Sequence, residues 1–282
     1  MKELTVLKEF NGLVLDEERA LYGITGALVR DCLFDGAADG ESALKETANV
    51  TVEECEFRLR YPMWHMSRSS VRDCVMTDTC RAALWYCDDI EISKSTLGGI
   101  KALRECKRVD IKDSKAVSTE LGWFCTDVAL VNSSVTGEYP FLKTVGLKMK
   151  DSALKGKYSF QYVENAEIEG CDLDTKDAFW HAKNVTVTDS VIKGEYLGWY
   201  SENLTLIRCR IEGTQPLCYC KGLKLIDCEM TGCDLSFEKS EVQATVTGAI
   251  DSVKNPITGK IVADSIGQII LDSPTECDIC VK

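Results

Sequence analysis

The sequence is short of basic residues: 33 Lys and Arg stand against 45 Asp and Glu over 282 residues, a net charge of −12 at pH 7. A duplex-binding protein uses Lys and Arg to neutralise phosphates, so nucleic acid is not an expected partner. The same deficit argues against an anionic membrane surface. No apolar run reaches the ~18 residues that would cross a bilayer. The opening stretch, MKELTVLKEFNG, has neither the apolar core of a secretory leader nor a small-residue cleavage site. A cytoplasmic location is therefore expected. Histidine occurs only at His65 and His181. The apolar fraction of 45% is ordinary, so a core can form and wholesale disorder is excluded.

Cysteine, by contrast, is abundant. Fifteen residues, an odd number, read without a leader as reduced thiols. Their spacing exposes an internal repeat. Cys32, Cys55, Cys74, Ser95, Ser114, Ser133, Ser152, Cys171, Ser190, Cys209 and Cys228 form a series of small residues. From Ser95 onward every step is 19 residues, and the earlier steps are 23, 19 and 21. Thr247 extends the series by one step. With this residue as position zero, apolar residues recur five and three before it, as in Val109 and Ile111 or Leu204 and Leu206. Another recurs two after, as in Leu173 and Ile192. Gly often falls at plus four, a turn signal, and Asn165, Asn184 and Asn203 fall at plus thirteen.

Two alternating runs and a third run from plus six to plus eleven predict three short strands per coil. Nineteen residues is short for a helix pair, and V-x-V and L-x-L patterns favour strands. The leucine-rich-repeat spacing is absent. The expected fold is all-β: a single-stranded parallel β-helix of about twelve coils, mostly of 19 residues. Residues 1–251 form the β-helix with its N-terminal cap, and 252–282 a C-terminal capping segment and tail. The cysteines become architectural. Six lie at position zero and four (Cys87, Cys106, Cys125, Cys220) at plus eleven, as soft apolar fillers of stacked core columns.

The third run collects the aromatics. All five Trp (Trp64, Trp85, Trp123, Trp180, Trp199) fall at plus nine, and both His at plus ten. Plus seven, nine and eleven hold almost no charge, whereas plus six, eight and ten hold seven charged residues across ten coils. By alternation, the Trp column should face the core and the even positions solvent. The outer face would then carry Tyr139 and Phe141, Tyr158, Phe160 and Tyr162, Phe179 and His181, and Tyr196 and Tyr200. An exposed aromatic patch of that size marks a ligand groove or an interface. These nine residues are the candidate ligand-binding set.

DGESALKE (39–46), YPMWH (61–65), ALWYC (83–87), ELGWFC (120–125), KDAFWHAKNV (176–185), GEYLGWYSENLTLI (194–207), QPLCYC (215–220) and SVKNPITGKI (252–261) resemble the bacterial family of domain of unknown function 3737. The resemblance covers nearly the whole chain. It implies a pectin-lyase-like, right-handed β-helix and carries no catalytic residue across.

Candidate chemistry is sparse. Carbohydrate hydrolysis uses two carboxylates within about 5–9.5 Å. Glu120 and Asp177 are three coils apart in one column, roughly 14 Å by strand spacing. Asp177 and Glu195, on adjacent coils, are the one near pair, although Glu195 also belongs to a charge ladder at plus five. His65 and His181, six coils apart at roughly 29 Å, cannot act together. Cys277 and Cys280 have zinc-like spacing but supply half a site. No cofactor is implied. The expected partner is a carbohydrate or other ring-bearing ligand; the alternative is a homo-oligomer or protein partner held through the same face. Asp39, Glu41, Lys45 and Glu46 fall in the inserted first step and are expected to cover an end of the rod or of the aromatic face.

Overall fold

The computed structural model describes residues 8–36 and 41–282. The fold is an all-β parallel solenoid of about fourteen turns with a repeat of about 19 residues. Among the described residues the only helical element is a 3₁₀ turn, Asp78–Cys80. The chain divides into two compact units, residues 1–140 and 141–282.

In the first unit, Thr25–Arg30, Ala48–Glu53, Ser67–Arg72, Asp88–Ser93 and Lys107–Lys112 stack in parallel. Lys8–Asn11 pairs on Thr25–Arg30, so residues read as a cap form a coil of their own. Expected neighbours meet: Val109 opposes Ile90 and Val128, and Ile111 opposes Ile92 and Leu130. The 3₁₀ turn takes up the two extra residues of the 21-residue step. Beyond it Leu84 opposes Leu103 in the ordinary register.

In the second unit, Val145–Lys150, Glu164–Glu169, Lys183–Thr188, Glu202–Ile207, Leu223–Thr231 and Glu241–Thr247 stack likewise. A register shift between Leu225 and Cys228 sets Val246 opposite Cys228. Position zero therefore passes to Val246, and Thr247 opposes Glu229 instead. Thr258–Ala263 and Glu276–Val281 continue the parallel stack, and Ala249–Lys254 pairs with Ser265–Ile270. The stretch around Cys277 and Cys280, read as a tail, is strand.

Two corners of each coil place one residue in the left-handed region. Immediately before position zero stand Asp73, Asp113 and Asn132 in one unit, and Asp151, Gly170 and Asp189 in the other, all with φ between 47° and 63°. At plus thirteen, Asn165, Asn184 and Asn203 do the same (φ 52–56°). Asn, Asp and Gly tolerate this conformation best. The asparagines also link coils: Asn184 Nδ2 donates to Asn165 Oδ1 at 3.2 Å, and Asn203 Nδ2 to Asn184 Oδ1 at 3.0 Å.

All thirteen cysteines before residue 277 are buried and free. Their alternation with Ser has a hydrogen-bonding reason. At position zero each side chain donates to the carbonyl two residues earlier: Ser95 Oγ to Ser93 O at 2.8 Å, Cys171 Sγ to Glu169 O at 3.2 Å. The same atom accepts the N–H of the position-zero residue one coil before. Cys74 N–H donates to Ser95 Oγ (3.0 Å), Ser95 N–H to Ser114 Oγ (3.1 Å), and Cys171 N–H to Ser190 Oγ (3.0 Å). A corner N–H buried without an acceptor would cost about 1–3 kcal/mol, so Ser or Cys stands at every position zero from Cys32 to Cys228, and Val enters only past the register shift, at Val246. Burial pushes the Cys80, Cys218 and Cys233 thiols up to about 12, which keeps them protonated.

The third run differs most from expectation. In the first unit it pairs as two-residue strands, Met63–Trp64, Leu84–Trp85 and Leu103–Arg104. In the second it is a stacked turn in which every other residue has positive φ: Tyr158, Phe160 and Tyr162 (47°, 62°, 55°), then Asp177, Phe179 and His181 (53°, 61°, 55°). Alternation of side chains across two faces fails on such a backbone. Phe141, Phe160 and Phe179 are fully buried, stacked at 5.7 and 4.7 Å in the core. Their assignment to the outer face is therefore corrected. The Trp column is only half-buried, so its assignment to the core is corrected too.

Candidate functional site

The outer aromatic surface of the second unit is built by the stacked turn. At plus ten, Tyr162, His181, Tyr200 and Tyr219 form a ladder of nearly parallel rings, with centroid separations of 4.8, 5.0 and 4.8 Å. Coil-to-coil bonds set the spacing: Tyr162 N–H donates to Trp180 O (2.9 Å) and His181 N–H to Trp199 O (3.0 Å). Tyr162 and Tyr200 are each 44% exposed. The inner rings, His181 and Tyr200, have a neighbour on both faces, so the ladder presents ring edges and polar tips rather than a bare face. Lys143 Nζ lies 5.8 Å from the Tyr162 centroid at one end. Glu238, paired with Lys254 at 3.2 Å, follows Tyr219 at the other. Burial, and then Glu238, raise the Tyr219 phenol.

Beside this ladder Trp180 and Trp199 stack at 5.4 Å. Their indole N–H groups donate to Tyr196 O (2.7 Å) and Gln215 O (2.8 Å), which fixes both rings against the next turn. Tyr196 meets Trp199 edge-on at 5.3 Å. At plus six, backbone bonds place Asp177 on the coil between those of Tyr158 and Tyr196: Tyr158 N–H donates to Lys176 O (2.8 Å), and Asp177 N–H to Glu195 O (2.9 Å). Asp177 is only 4% exposed. Burial raises its carboxyl above the usual range; Lys176 opposes that shift and Glu195 adds to it. The Glu195 carboxylate itself bonds Lys176 Nζ at 2.8 Å. Of the nine candidate ligand-binding residues, then, Tyr158, Tyr162, His181, Tyr196 and Tyr200 stand at this surface, while the three phenylalanines lie beneath it. Tyr139 belongs to the first unit.

Sequence reasoning missed Tyr219, Trp180 and Trp199 as members of the surface. A signal was present. Gly122 and Gly198 occupy plus eight with φ of 74°, in the column of Phe141, Phe160 and Phe179. Glycine there flags a left-handed position, and with it the breakdown of alternation.

In the first unit the third run is broken by ions. Lys45 Nζ lies 4.1 Å from the Trp64 centroid, Trp64 and Trp85 stack at 5.1 Å, and Arg104 lies 5.5 Å from the Trp123 and Phe124 centroids. Glu120 is held by Arg104 (3.5 Å) and Lys101 (3.7 Å). That ion pairing opposes a role as a proton-transfer group. Glu105 raises the Tyr86 phenol through a hydrogen bond. The indole nitrogens of Trp64 and Trp85 have no acceptor among the described residues, whereas Trp123 donates to Tyr139 O at 2.6 Å. Glu41 pairs with Arg60 at 3.3 Å, and Asp39 lies outside the described residues.

Cys277 and Cys280 sit three apart in one strand, opposite Gly259 and Val262, so they point to opposite faces. Among the described residues no group of three or more His, Cys, Asp or Glu is arranged to hold a metal.

Among solved structures the chain is similar to the A-module of mannuronan C-5 epimerase AlgE4 from Azotobacter vinelandii, at 10% identity over 97% of this chain and 89% of that one, with a TM-score of 0.32. It is also similar to the surface adhesin PfbA of Streptococcus pneumoniae (8% identity, 96% and 88%, TM-score 0.37). The pentapeptide-repeat protein HetL of Nostoc matches at 11% identity over 78% and 92%, with a TM-score of 0.31. No curated protein sequence matches. The model of the DUF3737 family, proteins of unknown function, matches residues 8–281, and the chain belongs to that family.

Proposed function

We propose that the protein binds a carbohydrate along the aromatic surface of its second unit. The observation that carries this reading is the four-ring ladder Tyr162–His181–Tyr200–Tyr219, with Tyr162 and Tyr200 at 44% exposure, beside a stacked Trp pair. Packing alone does not require rims that open. The ladder offers a row of phenol and imidazole groups repeating every 4.8–5.0 Å, which suits a chain of hydroxyl-bearing rings lying along it. Specificity here rests on hydrogen bonds from ring tips, since the inner ring faces are occupied. Fifteen free thiols suit a reducing, cytoplasmic setting.

The test is an oligosaccharide array followed by calorimetry on hits. Replacing Tyr162 and Tyr200 together by Ala should abolish binding while thermal stability stays close to that of the parent. Undiminished affinity in that variant sinks the assignment. A dimer dispersed by Tyr200→Glu in sedimentation, with no glycan bound, identifies the surface as an interface between copies instead.

A further inference from the structure

Two carboxylates are buried among the described residues, Glu53 and Asp177. Glu53 has the expected compensation: Arg30 Nη2 and Arg72 Nη2 each reach it at 2.6 Å. Asp177 has only the Coulombic pull of Lys176. Among the described residues no hydrogen bond or ion pair reaches its side chain, and Lys176 is itself bonded to Glu195. Yet neither Asp177 oxygen is among the buried polar atoms sealed from solvent without a partner. The carboxylate is thus sunken, open at its tip and without a direct ion pair. It stands in one column with Tyr158 and Tyr196, which are half-buried; Lys176 Nζ lies 5.3 Å from the Tyr196 ring centroid, so Tyr196 offers its edge and hydroxyl rather than that face.

A desolvated carboxylate with phenol hydroxyls in its column is the chemistry that recognises an ammonium group, through charge pairing and through oxygens that accept its N–H bonds. The Lys176–Glu195 pair is neutral as a unit, so Asp177 supplies the net charge of this spot. The charge of −12 on the whole chain favours the approach of a cationic ligand and disfavours an anionic one.

We propose that Asp177, with Tyr158 and Tyr196, is a subsite for a protonated amine, and that the carbohydrate taken by the aromatic surface is an amino sugar with its amine free. This rests on the carbohydrate reading above and specifies its substrate class. It also assigns Asp177 to binding rather than to acid catalysis with Glu195.

Calorimetry at low salt tests it, with three probes of equal length: a glucosamine oligomer, its N-acetylated counterpart and a uronate oligomer. The parent protein should prefer the glucosamine oligomer by about tenfold or more over the acetylated one, and should not bind the uronate. Asp177→Asn, which keeps the shape of the side chain, should remove that preference and leave the weaker affinity for the acetylated oligomer. Equal affinity for the amine and its acetylated form in the parent protein overturns the subsite while the carbohydrate reading stands. An unchanged preference in Asp177→Asn overturns the role of Asp177. Failure of all three oligomers to bind overturns both proposals.

Discussion

The two buried carboxylates belong to different units and are treated in opposite ways. Glu53 in the first is clamped by two guanidinium groups from the coils on either side. Asp177 in the second has no ion-pair or hydrogen-bond partner among the described residues, in a unit that elsewhere pairs Lys150 with Glu169 and Arg208 with Asp189 across adjacent coils. The aromatic runs differ in the same sense. Cations sit over rings in both units, Lys45 and Arg104 in the first and Lys143 and Lys176 in the second, but in the second they leave four rings in uninterrupted contact. A repeat holds register constant while content varies. The coils that leave charge and ring edges uncompensated are therefore those where a ligand has something to gain.

The largest test of this contrast is to make Glu53 resemble Asp177. Replacing Arg30 and Arg72 together by Ala leaves a buried charge without a partner and should lower the melting temperature by about 6–10 °C. A change below one degree would mean that solitary buried carboxylates are tolerated anywhere in this fold, and Asp177 would lose its distinction. Next comes a feature that the units share. Cys74→Val and Cys171→Val each remove an acceptor from the corner and should cost about 1–3 kcal/mol by urea unfolding. Cys→Ser at the same sites should cost a small fraction of that. Unequal responses in the two units would show that the coils are not interchangeable supports.

Smaller still is the loss of an exposed rung. Tyr162→Ala should cost under about 1 kcal/mol of stability, because almost half its surface is already in water. A loss comparable to a core deletion would make the ladder a structural brace. The smallest effect belongs to Asp177→Asn, and it depends on pH. A carboxyl raised in the folded state holds its proton more tightly than in the unfolded chain, so it destabilises the fold above its folded-state value. That penalty is absent below the ordinary carboxylate range. Asparagine should therefore raise the melting temperature at neutral pH, and the advantage should vanish as pH falls. A constant difference across pH would contradict the burial argument.

The period was legible because small residues at position zero cannot be replaced by large ones without breaking the stack. Cys and Ser were correctly aligned in one column, but they read as apolar filler. From Cys32 to Cys228, their interchange with each other, and not with Ala or Val, was the sign of a hydrogen-bonding task. The third run was misread for a backbone reason. Strand alternation presumes extended residues, and here Tyr158, Phe160 and Tyr162 all take positive φ, which bulky side chains rarely adopt. No propensity of Phe or Tyr announces this. Only the rare glycines in the column do, and Phe160 moved from the presumed binding face to the core as a result.

The relay at position zero also gives the stack a direction. The N–H of Cys74 waits on Ser95, and that of Ser95 on Ser114, so each corner is completed by a residue about one coil later in the chain. A protein growing from a ribosome would always carry one unfinished corner at its leading end, relieved only when the following repeat emerges. A substitution that removes the acceptor accordingly damages the coil made before it, not the coil that bears it. Lesions in such a protein should be sought one repeat upstream of the changed codon.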